Sequence, residues 1–124
     1  MRRAEIRSER GGMGPWVWQR VTAVLLLLGL GVHLVVLHAA NIGKLTFATS
    51  QARLGTVFFM VLDFGLLATA LFHGLNGLRM VLLDYGFTGR KRVALDIVLW
   101  ALGLGAFAFG TWALWPWVAA RGKA

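Results

Sequence analysis

The chain has 124 residues, 58% of them hydrophobic and only 15% charged, with a formal net charge of +8 and no cysteine. A soluble domain of this size has too little interior to hide so much apolar surface, and the apolar residues come in long blocks, so lipid is the expected solvent. Lack of cysteine excludes disulfides, iron–sulfur ligation and thiolate zinc sites within the chain; the basic residues sit at the ends of apolar blocks and form no stripe, which argues against nucleic acid as a partner.

Residues 1–15 are polar and arginine-rich and close with Gly11, Gly12, Gly14 and Pro15. They read as a basic tail that stops where the first helix begins. A first span is predicted over residues 16–40. Its apolar run from Val21 to Ala40 is too long for the hydrophobic stretch of a cleaved signal peptide, and two more spans follow, so it is expected to be retained. A polar connection, Asn41 to Arg53, leads to a second span over residues 54–85. A short basic link, Gly86 to Arg92, leads to a third over residues 93–118. Each span exceeds the ~20 residues needed to cross the hydrocarbon core. Short links make consecutive spans antiparallel. The expected fold class is therefore all-α, a transmembrane three-helix antiparallel bundle over residues 16–124, without an internal repeat.

Loop charges predict the orientation. Arg2, Arg3, Arg7, Arg10, Arg20, Arg90, Lys91 and Arg92 fall on one side, and Lys44, Arg53, Arg121 and Lys123 on the other. Eight against four places the amino terminus in the cytoplasm and the carboxyl terminus outside. Trp16 and Trp18 would mark the inner interface, and Trp112, Trp115 and Trp117 the outer one.

Ionisable groups at membrane depth are costly and usually retained for a role. Span one carries His33 and His38. Span two carries Asp63, His73, Asn76, Arg79 and Asp84. Span three carries only Asp96 near its inner end, so spans one and two read as the working helices and span three as packing. The helical neighbours of His73 are Thr69, Ala70, Asn76, Gly77 and Met80. Small residues there predict a recess beside the imidazole that would suit a flat ligand. Two readings stay open: His73 as an axial ligand of haem iron, with its other ring nitrogen held by a neighbour, or His73 as an interhelical hydrogen bonder packed through Gly77. His33, with Gly29 on its face, divides the same way. His38 points to another face near the outer interface. Counted from the inner interface, the two histidines differ by on the order of 7 Å in depth, so each would serve a different iron, with the opposing ligand from another chain. Arg79, Asp84 and Tyr85 are expected to form a polar cluster at the inner end of span two. They suit a quinone headgroup, or else snorkelling and interfacial anchoring. Arg20 would pair with a haem propionate or set topology.

The segment His73-Gly-Leu-Asn-Gly-Leu-Arg79-Met-Val-Leu-Leu-Asp84-Tyr85 resembles the hydrophobic membrane-anchor subunit of succinate dehydrogenase, in the haem-b-containing bacterial and archaeal type. Span one adds Gln19-Arg20-Val-Thr-Ala, with His33 thirteen residues after the arginine. The resemblance implies several roles. His73 is the ligand of the haem nearer the iron–sulfur protein; with a haem there, Arg20, Asn76 and Arg79 are expected, from their own placement, to form its environment. His33 is the ligand of an outer haem in two-haem versions, so one or two haems are expected. Tyr85 contacts the quinone, with Asp84 beside it. The partners implied are a second membrane subunit completing a larger bundle, an iron–sulfur subunit and a flavoprotein, in the cytoplasmic membrane. Dicarboxylate oxidation would lie on another subunit. The alternatives are a fumarate reductase anchor and a haem-free structural or assembly protein. A transporter is disfavoured because no inverted repeat or broken-helix pair is visible.

Overall fold

The computed structural model describes residues 12–39 and 46–119, so the tail over 1–11, the stretch 40–45 and residues 120–124 lie outside the described residues. Among the described residues there are four helices: α1 (Met13–Ala39), α2 (Phe47–Leu54), α3 (Val57–Asp84) and α4 (Gly89–Ala119). Three are long and apolar enough to cross a membrane, over Met13–Val36, Val57–Asp84 and Gly89–Pro116. They agree with the three expected spans to within about four residues at each end. The short α2 was not expected. It occupies the polar connection and begins with a reciprocal cap, in which the Thr46 hydroxyl accepts from the Thr49 amide at 3.2 Å and the Thr49 hydroxyl accepts from the Thr46 amide at 3.0 Å.

The long helices lie in a row with α3 in the middle. It packs antiparallel against α1 on one side and α4 on the other, and the backbones of α1 and α4 do not approach each other. Both contacts depend on glycines that accept leucines. An ideal Cβ at Gly29 of α1 would stand 2.7 Å from Leu66 Cδ2. At Gly103 and Gly110 of α4 it would stand 2.8 Å from Leu75 Cδ1 and 2.6 Å from Leu67 Cδ2. Without a hydrophobic drive between helices in lipid, such close backbone approach supplies the van der Waals contact that holds a bundle together. The register is constant along the α1–α3 contact: Gln19 meets Asn76, Thr22 meets His73, Gly29 meets Leu66 and His33 meets Asp63.

Little is sealed inside. Leu83, Leu99 and Thr22 are the buried residues among those described, while Leu27 is 74% exposed and Phe109 67%. In water this arrangement would be inside out; in lipid it is the ordinary one. Hydroxyls within the spans are satisfied locally, Thr69 donating to Gly65 O at 2.7 Å and Thr111 to Phe107 O at 2.8 Å. The α3–α4 turn closes through Gly86, whose φ of +91° favours glycine, with the Phe87 amide donating to Leu82 O at 3.3 Å.

Candidate functional site

His73 sits on the side of α3 that faces α1, half-buried in a polar seam. The Thr22 hydroxyl lies 3.0 Å from His73 Nδ1. The Gln19 carboxamide nitrogen donates to the His73 carbonyl at 3.1 Å and stands 3.3 Å from each ring nitrogen. Asn76, one turn further along α3, donates to Gln19 Oε1 at 2.7 Å and to Pro15 O at 3.0 Å. Thus Asn76 does share the face of His73, as its spacing predicts. The recess expected at Gly77 is occupied: an ideal Cβ there would stand 3.0 Å from Gln19 Nε2, so the amide of α1 fills the space that glycine leaves. Open space borders Gly74 instead.

The second histidine is joined to a residue left without a role by sequence reading. His33 Nδ1 lies 3.2 Å from Asp63 Oδ1, with side chains 31% and 18% exposed. A carboxylate at that depth needs a donor, and the α1–α3 register supplies it. Thr22 and His33, the α1 residues level with the two sites, are eleven positions apart, roughly 16 Å of helix rise. This separation exceeds the 7 Å expected from sequence, because α3 runs past the start of α1 and His73 consequently lies nearer the amino-terminal end of the bundle. The backbone of His38 lies in α1, but its side chain is outside the described residues.

Arg79 departs from the expected cluster. It turns toward α4 and binds Asp96 through two bonds, Nε to Oδ1 at 2.6 Å and Nη2 to Oδ2 at 3.1 Å. Asp84 lies five residues on, about 140° around the helix at 3.6 residues per turn, and so cannot share this face. Asp84 and Tyr85 end the helix exposed to the surroundings, Tyr85 at 82%. Span three therefore contributes a charge partner as well as packing. The third guanidinium nitrogen, Nη1, is buried without a hydrogen-bond partner among the described residues. Arg79 also helps line a cleft of about 600 Å³ on the open face over α3, whose walls include Trp18, Phe72, Leu75, Asn76 and Trp100. Arg20 lies 5.1 Å over the Trp16 ring, an interfacial cation–π contact.

Sequence reasoning passed over Thr22, Gln19 as a hydrogen-bonding group, and the pairing roles of Asp63 and Asp96. Gln19 and Thr22 are three apart, on the same face of α1. That spacing, set against His73 and Asn76 three apart on α3, is the signal that an antiparallel register would have exposed. No group of three His, Asp or Glu residues gathers among the described residues, so each histidine could offer a single ligand position.

A three-span helical membrane protein with a polar imidazole seam is thus the class that fold and site define. Over residues 4–113 the chain matches the family described as the succinate dehydrogenase/fumarate reductase transmembrane subunit. A succinate dehydrogenase hydrophobic membrane anchor subunit of Archaeoglobus fulgidus is 31% identical over 112 residues, covering 89% of this chain and 96% of that one. A succinate dehydrogenase 2 membrane subunit of Mycobacterium tuberculosis is 30% identical over 92 residues, 74% of this chain and 66% of its own length. The hydrophobic membrane anchor subunit of Halobacterium salinarum is 34% identical over 76 residues, 60% of this chain and 58% of that one. No solved structure gives a significant match. The chain belongs to the succinate dehydrogenase/fumarate reductase transmembrane subunit family and is a membrane anchor subunit of that kind of complex.

Proposed function

We propose that this anchor binds haem b through His73, shares it with a second membrane subunit, and forms part of a quinone site in a succinate dehydrogenase. The observation that carries this reading is the placement of His73: a half-buried imidazole at membrane depth, seated between two helices by side chains that are themselves neutral. A neutral imidazole is a good axial ligand for haem iron, and nothing in the seam competes with it by charge. The donor set suits one axial position, so the opposing ligand falls to the partner subunit. Bound haem b supplies reversible one-electron chemistry between the soluble electron donor and the quinone.

The chain's own groups have separate tasks in this reading. Thr22 and Gln19 orient the imidazole, and Asn76 holds Gln19. Arg20 is the exposed cation for a haem propionate, with Arg79, paired to Asp96, adding positive charge to the haem environment. Tyr85 and Asp84, exposed at the end of α3, present a hydroxyl donor and a carboxylate to a quinone site that partner subunits complete. His33, oriented by Asp63, is the candidate ligand for a second, outer haem. The eight-to-four charge asymmetry favours a cytoplasmic position for Tyr85, where the iron–sulfur and flavoprotein subunits would dock. Replacement His73→Ala is expected to lower the reduced haem-b absorbance of the purified complex. An unchanged spectrum would refute the ligand assignment.

A further inference from the structure

We propose that Thr22 is a positioning residue for His73: its hydroxyl accepts the Nδ1 proton and so fixes the tautomer whose Nε2 lone pair is free for iron. The inference rests on the haem reading of His73 and adds to it the group that sets the ligand's state. No hydrogen need be seen to reach it, because the polarity of the seam runs in one direction from a fixed end. That end is the Pro15 carbonyl, which can only accept. Its partner, 3.0 Å away, must therefore be the amide nitrogen of Asn76. The same nitrogen then donates to Gln19 at 2.7 Å, so the Gln19 atom there is the oxygen. This leaves the Gln19 nitrogen facing His73, where it donates to the backbone carbonyl at 3.1 Å and approaches the ring at 3.3 Å.

The Gln19 nitrogen is equidistant from two nitrogens of one five-membered ring, so it lies over the ring face and meets neither in-plane nitrogen position. As a donor it also offers nothing to a ring N–H. Among the described residues the acceptor within reach is Thr22 Oγ1, 3.0 Å from Nδ1. The single hydrogen of Thr22 is spent on the Trp18 carbonyl at 2.8 Å, so Nδ1 donates this bond and Nε2 keeps its lone pair. At 5% exposure Thr22 is one of the three buried residues among those described, and water does not replace its hydroxyl. A ligating imidazole whose second nitrogen donates to a neighbour is oriented and made more basic. Loss of the acceptor therefore weakens the ligand and favours ferrous over ferric iron.

The test uses the assembled complex with Thr22→Val, Thr22→Ala and Thr22→Ser. The midpoint potential and the amount of haem b are read by redox titration and pyridine haemochrome. Valine and alanine are both expected to raise the midpoint potential and to lower haem affinity on the order of tenfold, while serine retains the parental values. Alanine adds no bulk, so it reads the same effect if valine disturbs assembly. Parental potential and haem content in both hydroxyl-free variants would overturn the proposal, as would a serine variant shifted as far as valine. In that event His73→Ala still decides the haem assignment itself: lost absorbance would keep the ligand and dismiss only the role of Thr22.

Discussion

Replacing Asp96 with alanine strands a guanidinium. Arg79 makes two bonds to that carboxylate, at 2.6 and 3.1 Å, and its side chain is only 17% exposed against 34% for Asp96. Breaking one partner of a fully buried pair costs about 3–5 kcal/mol, and exposed pairs are worth about 0.2–1 kcal/mol. A pair with one arm well covered and the other partly open falls between, so Asp96→Ala is expected to destabilise the α3–α4 contact by roughly 2–3 kcal/mol. That is about a 30- to 150-fold change in the equilibrium. Replacing both residues, with Arg79→Met beside Asp96→Ala, removes the stranded charge and fills the cleft wall with an apolar chain. The double variant should be more stable than Asp96→Ala alone. Detergent-induced unfolding followed by circular dichroism gives all four corners of the cycle. A coupling below about 0.5 kcal/mol would show that the two side chains do not act as a pair.

The His33–Asp63 contact predicts two readouts. His33→Ala leaves the Asp63 carboxylate at membrane depth without its donor and should destabilise the α1–α3 contact by about 1–3 kcal/mol, an effect relieved in the His33→Ala, Asp63→Ala double variant. It should also halve the haem content per complex by pyridine haemochrome; an unchanged haem content would leave His33 as the partner of Asp63 alone. Tyr85→Phe should raise the quinone KM on the order of tenfold through loss of one hydrogen bond, without altering the haem spectrum. A parental KM would remove Tyr85 from the quinone site. Being 82% exposed, the position should shift stability by less than ~0.5 kcal/mol.

The spans were legible because a run such as Val21 to Ala40 has only one inexpensive environment, and length alone then dictates a crossing helix. The connection was not, because Phe47–Leu54 is short and only half apolar and its start depends on two threonines bonding each other. His73 and Asn76 could be placed on one face from helical spacing. What that face meets could not be read from α3 itself, since the filling of Gly77 by Gln19 depends on the antiparallel register. Arg79 was assigned to its chain neighbours Asp84 and Tyr85, yet its partner lies across the Gly86 turn at a matching distance on the next helix. Asp63 had no visible role until α1 brought His33 alongside. In each case the missing information was register between helices, which a pattern of residue types along one helix does not contain.

The row arrangement gives α3 two edges fastened, among the described residues, by different hydrogen-bonding groups. Thr22, Gln19 and Asn76 fasten one edge and Arg79 with Asp96 the other. A lesion in α4 can therefore loosen its own junction without releasing the imidazole, and what that junction asks of α4 is glycine facing Leu67 and Leu75 and a carboxylate at Asp96. The two junctions of one small polypeptide can thus change independently of each other.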